Sequence, residues 1–256
     1  MKKIVLAALI ILSCQSIHAQ VTDTTKVIIS SPNNVTTSSP ANATKIDLSS
    51  RSNDHFMVQY GLDRWSGNPD STAPKGFSRH FNAYVMLDKP FKNNPRFSVG
   101  LGVGISSSNM FFERRNVDVK STSARLPFQN LDSANHFKKY KLTTVYAEAP
   151  IELRYSTHPE DDNKSFKLAA GVKIGTLLNA HTKGKTLEDK NGTSLNNYIA
   201  KESSKKFFNS TRLSVTGRIG YGIVSLHGAY TVTGILKDGV GPVIRPYSIG
   251  LAISGL

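Results

Sequence analysis

Phe97-Ser98-Val99-Gly100-Leu101-Gly102-Val103-Gly104-Ile105 decides the fold. Every second residue is apolar, and those between are Ser or Gly. A period of two belongs to an extended strand with one apolar face and one face of different character. Seven further stretches alternate in the same way. They run from His55 to Arg64, His80 to Leu87, Leu142 to Tyr155, Phe166 to Thr176, Arg212 to Tyr221, Val224 to Thr233, and from Tyr247 to Ser254. The gaps between strands are alternately long and short, closing on a medium one before the last strand. Large loops therefore gather at one end of the sheet and tight turns at the other. That rhythm predicts an all-β fold: an eight-stranded antiparallel up-and-down transmembrane barrel with short periplasmic turns and long extracellular loops.

A soluble barrel also alternates, but with its apolar face inward. The faces opposite the apolar ones carry Glu148, Glu152, Arg154, Lys167, Lys173, Arg212, Arg218 and His227. A dry apolar cavity would penalise such charges by several kcal/mol each. Loops near 30 residues on one rim are uncommon in compact soluble domains. The alternation is therefore read with apolar residues on lipid and polar residues in the lumen.

The N-terminus agrees. Met1-Lys2-Lys3 precedes an apolar run from Ile4 to Leu12 and a polar exit at His18-Ala19-Gln20. Charge, short apolar core and small-residue exit predict a secretory signal peptide over residues 1–19, cleaved between Ala19 and Gln20. Lipidation at Cys14, the single cysteine, is the competing reading, and the bulky Leu12 beside Ser13 fits it poorly. Loss of Cys14 with the signal leaves no thiol for disulfides or metal. Residues 20–54 are rich in Ser, Thr, Asn and Pro, too poor in apolar area to offset ordering entropy, and read as a disordered periplasmic leader. Residues 55–256 make one barrel domain. The formal charge of +14 falls to +12 without Lys2 and Lys3. For an exported chain this points to anionic outer-membrane lipid rather than nucleic acid.

Strand four, Tyr146-Ala147-Glu148-Ala149-Pro150-Ile151-Glu152-Leu153-Arg154-Tyr155, resembles the "YLEIPLLLRY" stretch of the PorT-like outer-membrane β-barrel family of the Bacteroidota. The Gly-rich strand before it, Leu168-Ala169-Ala170-Gly171-Val172-Lys173-Ile174-Gly175 after it, and the signal end at Ala19-Gln20 fit the same pattern. The resemblance covers roughly residue 57 to the C-terminus. Ala147 and Ala149 depart from it where larger aliphatics are usual, as does Leu256 where an aromatic is commoner. The resemblance implies a membrane barrel, with a link to type IX secretion raised by PorT itself.

Several residues invite functional readings. The inward charges form either a static ion-pair network or a permeation path. Eight strands leave an interior only wide enough for side chains, which favours the network. Gly and Ser on the inner face of the Phe97 strand would make room for Tyr84 and Tyr146. His227, with Ser225 and Ser214 near it, is the best enzymatic candidate, as in lipid-modifying barrels. However, Ser225 and His227 stand two apart on one strand face, too far for an ideal Ser–His contact. No His pair has metal-ligand spacing, and nothing implies a cofactor. The long loops are basic: seven Lys or Arg against three Asp or Glu between Asn109 and Lys141, and six against three between Asn179 and Lys206. They form a solvated rim or contact lipopolysaccharide phosphates. Met110-Phe111-Phe112 and Phe207-Phe208 flank these loops as an interfacial girdle or as docking points. Asp23-Thr24-Thr25, Asp70-Ser71-Thr72 and Asp132-Ser133-Ala134 match a short O-glycan motif. The expected role is that of a non-enzymatic envelope protein, structural or interacting with envelope or secretion-complex proteins. A narrow channel and a lipid-modifying enzyme are the alternatives.

Overall fold

The computed structural model describes residues 56–67, 69, 74 and 77–255. The signal, its cleavage point, Cys14, the leader and Asp70-Ser71-Thr72 lie outside the described residues. The strands are β1 (Phe56–Ser66), β2 (Arg79–Pro90), β3 (Phe97–Phe112), β4 (Arg115–Val117), β5 (Phe128–Asn130), β6 (His136–Ser156), β7 (Phe166–Glu188), β8 (Ser194–Ser203), β9 (Thr211–Tyr221), β10 (Val224–Thr231) and β11 (Arg245–Ser254). Eight of them pair in the order β6-β3-β2-β1-β11-β10-β9-β7, and β6 with β7 closes the ring. Every pairing is antiparallel, and β1 meets β11 at Tyr60↔Leu251.

The alternation has the predicted sign. Leu101, Val103 and Ile105 of β3 and Leu87 of β2 face outward, Val103 with 65% of its surface bare, whereas inward Ser98 and Ser106 are buried. A row of large apolar side chains on the outside is stable only against hydrocarbon. Pairing of β3 with β6 pauses opposite Ala149 and Pro150, where proline has no N–H to donate. It resumes in the same register at Gly104↔Glu148. On the inner face of β3, a Cβ on Gly104 would strike the Tyr84 ring, and one on Gly102 would strike Met86 Sδ.

Two expected loops are corrected. The segment from Asn109 to Lys141 continues β3 to Phe112, carries the β4–β5 hairpin, and starts β6 at His136. The gap from Asn179 to Phe208 holds the upper part of β7 and the whole of β8, which pairs with β7 through Lys183↔Lys201. With 21 and 23 residues, β6 and β7 are about twice the roughly 9–11 residues a spanning strand needs. They rise well above the membrane. A bulge at Leu178 of β7, opposite the step from Val145 to Tyr146 of β6, separates the spanning part from the extension. The extra residue flips the side-chain parity of β7. Leu177 and Ala180 both point inward as a result.

Candidate functional site

The lumen is assembled from inward positions of the barrel strands and holds three polar clusters. In the first, Glu148 of β6 takes a hydrogen bond from the Tyr84 hydroxyl at 2.5 Å and from Arg212 Nε at 2.9 Å. Arg212 Nη2 bonds the same carboxylate and donates to Ser106 at 2.7 Å. Lys173 Nζ stands 3.8 Å from Glu148 and 3.3 Å from the Tyr84 oxygen. The Arg212 guanidinium lies 4.2 Å over the Tyr146 ring, a stacking contact that suits its planar, weakly hydrated charge.

In the second cluster, Glu152 accepts from Arg154 Nε at 3.0 Å and Arg218 Nη2 at 2.8 Å. Arg154 also lies 3.6 Å from Asp88. Lys167 takes an inward position on β7 opposite Gly220. The third cluster holds His227, and its partners differ from those the sequence suggested. His227 Nε2 sits 2.9 Å from His80 Nε2, and His80 Nδ1 sits 2.7 Å from Asp63. Ser108 donates to the other oxygen of that carboxylate. Ser214 bonds Thr231 at 3.0 Å instead. Gly61 makes the pair of rings possible, since a Cβ there would meet His80 Cε1 at 2.8 Å. Sequence reasoning passed over Asp63 and His80. Their inward parity on β1 and β2 was the available signal.

These clusters occupy much of the interior. A cavity of about 30 Å³ lies between Asp63, His80, Lys173, Arg212 and Thr231. Among the described residues no group of three metal-ligating side chains converges.

Above the lumen the chemistry changes. Met110, Phe112, Val117, Val119, Leu126, Leu142, Phe207, Phe208, Ile235, Leu236 and Ile244 form a buried apolar cluster with Trp65, Tyr140 and Tyr146. They come from the upper inward positions of β1, β3 and β6, from the β4–β5 hairpin, and from residues 204–210 and 234–244, and they cap the barrel mouth. Backbone bonds stitch the loops together, among them Asn209 N to Ile235 O at 2.9 Å and Leu126 N to Val240 O at 2.8 Å. The Tyr140 hydroxyl accepts from Val117 N at 3.1 Å and donates to Val117 O at 3.0 Å. Burial in the cap pushes its phenol pKa up. Met110, Phe112, Phe207 and Phe208 are therefore neither a lipid girdle nor docking points. They are the centre of the cap, because β3 keeps them on its inward parity or the loops fold them over the mouth. Only Phe111 of the first trio faces out, with Arg79 at 5.5 Å and Lys141 at 5.9 Å from its ring centre.

A family model described as "Outer membrane protein beta-barrel domain" matches residues 34–235. The chain belongs to that family. The outer membrane protein β-barrel domain accounts for the lipid-facing row and the closed ring, and it implies an outer-membrane location. Among solved structures the chain is similar to Ail, the attachment invasion locus protein of Yersinia pestis, crystallised with the heparin analogue sucrose octasulfate. Identity is 12%, coverage is 78% of this chain and 95% of that chain, and the TM-score is 0.31. It is also similar to a double mutant of the Rh. blastica porin, with 9% identity, 78% and 98% coverage and a TM-score of 0.20. No curated protein matches this barrel domain protein.

Proposed function

We propose that this barrel is a non-enzymatic envelope protein whose outer cap is an interaction surface, exported by a signal cleaved after Ala19 and belonging to the PorT-like branch with a role beside secretion machinery. Lipopolysaccharide is its lipid partner. The observation that carries the reading is the double seal: a lumen packed with paired charges lies beneath a dry apolar cap. A barrel sealed in this way would act through its surfaces rather than through its lumen. The Asp63–His80–His227 chain supports this reading too. The hydroxyl in that chain, Ser108, donates to the carboxylate rather than to a histidine, the reverse of the arrangement that activates a serine.

The test is crosslinking in intact envelopes followed by capture of the full chain, beside planar-bilayer recording of the purified barrel. The expected result is specific envelope-protein adducts mapping to the loops and a flat current trace. Stable porin-like conductance would overturn the sealed-barrel reading in favour of the channel. A change in lipid mass that His227→Ala abolishes would overturn it in favour of the enzyme.

A further inference from the structure

The outward face just above the apolar band carries a row of cations that the lumen network does not use. Lys141 of β6 lies directly opposite Lys183 of β7, and Lys183 lies directly opposite Lys201 of β8. One step higher, Lys139 pairs with Lys185. One step lower, Thr143 pairs with His181, and His181 with Ser203. The row continues around the wall, because Phe111 of β3 stands opposite Lys141 and Asn109 stands opposite both Thr143 and Arg79 of β2.

Like charges directly opposite one another destabilise a sheet, and here three lysines stand abreast on strands about 4.8 Å apart. No carboxylate occupies these paired positions. The nearest strand acid, Glu202, pairs with Thr182 on the opposite face. Lys141 Nζ is held by a neutral acceptor, Asn109 Oδ1, at 2.6 Å. Among the described residues no ion pair compensates the repulsion within the row.

Position identifies the missing anion. The outward apolar residues of β6 run from Tyr155 up to Val145. That is roughly 25 Å along the membrane normal for a strand tilted about 40°. Lys141 lies four residues further on, roughly 10 Å above the hydrocarbon edge by the same geometry. A phosphate there belongs to a bulky saccharide headgroup. Such a lipid can lay its acyl chains on Ala147, Leu178 and Ile174 directly below.

We propose that Lys141, Lys183 and Lys201, flanked by Arg79 and Lys139, form a binding site for the phosphates of a phosphorylated glycolipid in the outer leaflet. The inference rests on lipopolysaccharide being the lipid partner, and it names the site. Parity does the selecting. The bulge at Leu178 turns Lys183 to the same side as Lys141; without it, Lys183 would point over the barrel mouth.

The test compares the full chain in detergent micelles with K141Q/K183Q/K201Q and with the control K120Q/K190Q/K205Q, which removes equal charge from exposed loop positions. The probes are lipopolysaccharide, the same lipid dephosphorylated, and inorganic phosphate. Heat-modified gel mobility confirms that each variant is folded. The site triple should weaken binding of the phosphorylated lipid by roughly tenfold to a hundredfold. It should flatten the salt dependence, leave the dephosphorylated lipid unchanged, and exceed the control clearly. Equal binding by the folded site triple and the wild type would overturn the site alone. No wild-type binding to lipopolysaccharide would overturn the partner as well. Inorganic phosphate competing as well as the lipid would overturn the lipid source.

Discussion

The lower lumen and the outer cap close the same barrel by opposite chemistry. Below, Glu148 and Glu152 are wrapped by Arg212, Lys173, Arg154 and Arg218, and the interior is mainly polar, with Met57 and Met86 packed beside Tyr84 as a small apolar exception. Above, Phe207, Phe208, Val117, Val119 and Ile244 are fully buried, with apolar neighbours. The two meet at Tyr146, which stacks on Arg212 from one side and belongs to the apolar cluster on the other. The wall explains the difference. Spanning strands must put their apolar residues on lipid, so the lumen receives the polar ones. Where β3, β6 and β7 leave the membrane, their inward face is free to turn apolar, and the loops fold over it.

The largest effect should come from the lower region. Glu148→Gln leaves Arg212 and Lys173 buried without their counter-charge, and breaking such a pair costs about 3–5 kcal/mol. Urea unfolding of the refolded barrel in lipid vesicles should show that loss. A change under about 1 kcal/mol would mean that water reaches the cluster and that the lumen is open. Phe208→Ala should cost about 3 kcal/mol through the cavity it leaves in the cap. Its signature is local: hydrogen exchange should quicken in residues 204–210 and 234–244 while the spanning strands stay protected. Uniform loosening would show that the two regions are one cooperative unit.

Conductance sharpens the comparison further. F207A/F208A and E152Q/R218Q each break one seal, and each should leave a planar bilayer silent. Joining them should produce current. Current from the cap variant alone would show that the polar network is no barrier. Next in size is His80→Asn, which keeps a polar side chain but ends the Asp63–His80–His227 chain. It should cost about 1–2 kcal/mol, read by the same urea titration; no measurable loss would remove that chain from the packing.

The smallest expected effect lies on the extension. Burial, then Lys201, Lys141 and Lys183, hold the His181 pKa below its ordinary value. Since the folded value lies under the unfolded one, the unfolded chain takes the proton more readily as pH falls below about 6.5. Stability should therefore decline slightly from pH 7 to pH 5, and phosphorylated lipid should raise the His181 midpoint in an NMR titration. A midpoint at the ordinary value with no lipid response would detach His181 from the cationic row.

Much of the wall was legible because lipid enforces a strict period of two. Phe81, Val103, Ile151, Val172, Val215 and Ile249 each announced an outward position. The upper half of β7 was not legible. The bulge at Leu178 breaks the parity, so Asn179 to Glu188 reads as an irregular polar run although it is strand. The loop part of the cap left no periodic trace either, since Val117 and Leu126 arrive from the β4–β5 hairpin and Phe208 and Ile244 from two further loops.

From sequence alone came the eight spanning strands, their faces, the gathering of long loops at one end and the polarity of the lumen. All of these follow from local alternation under one uniform solvent, the hydrocarbon. Tertiary structure alone decided which inward groups meet. His80 and His227 are 147 residues apart and touch across the lumen, and Phe208 finds Leu236 through a bridge between loops. Ring closure sets such contacts, through register and bulges that no short stretch of sequence contains.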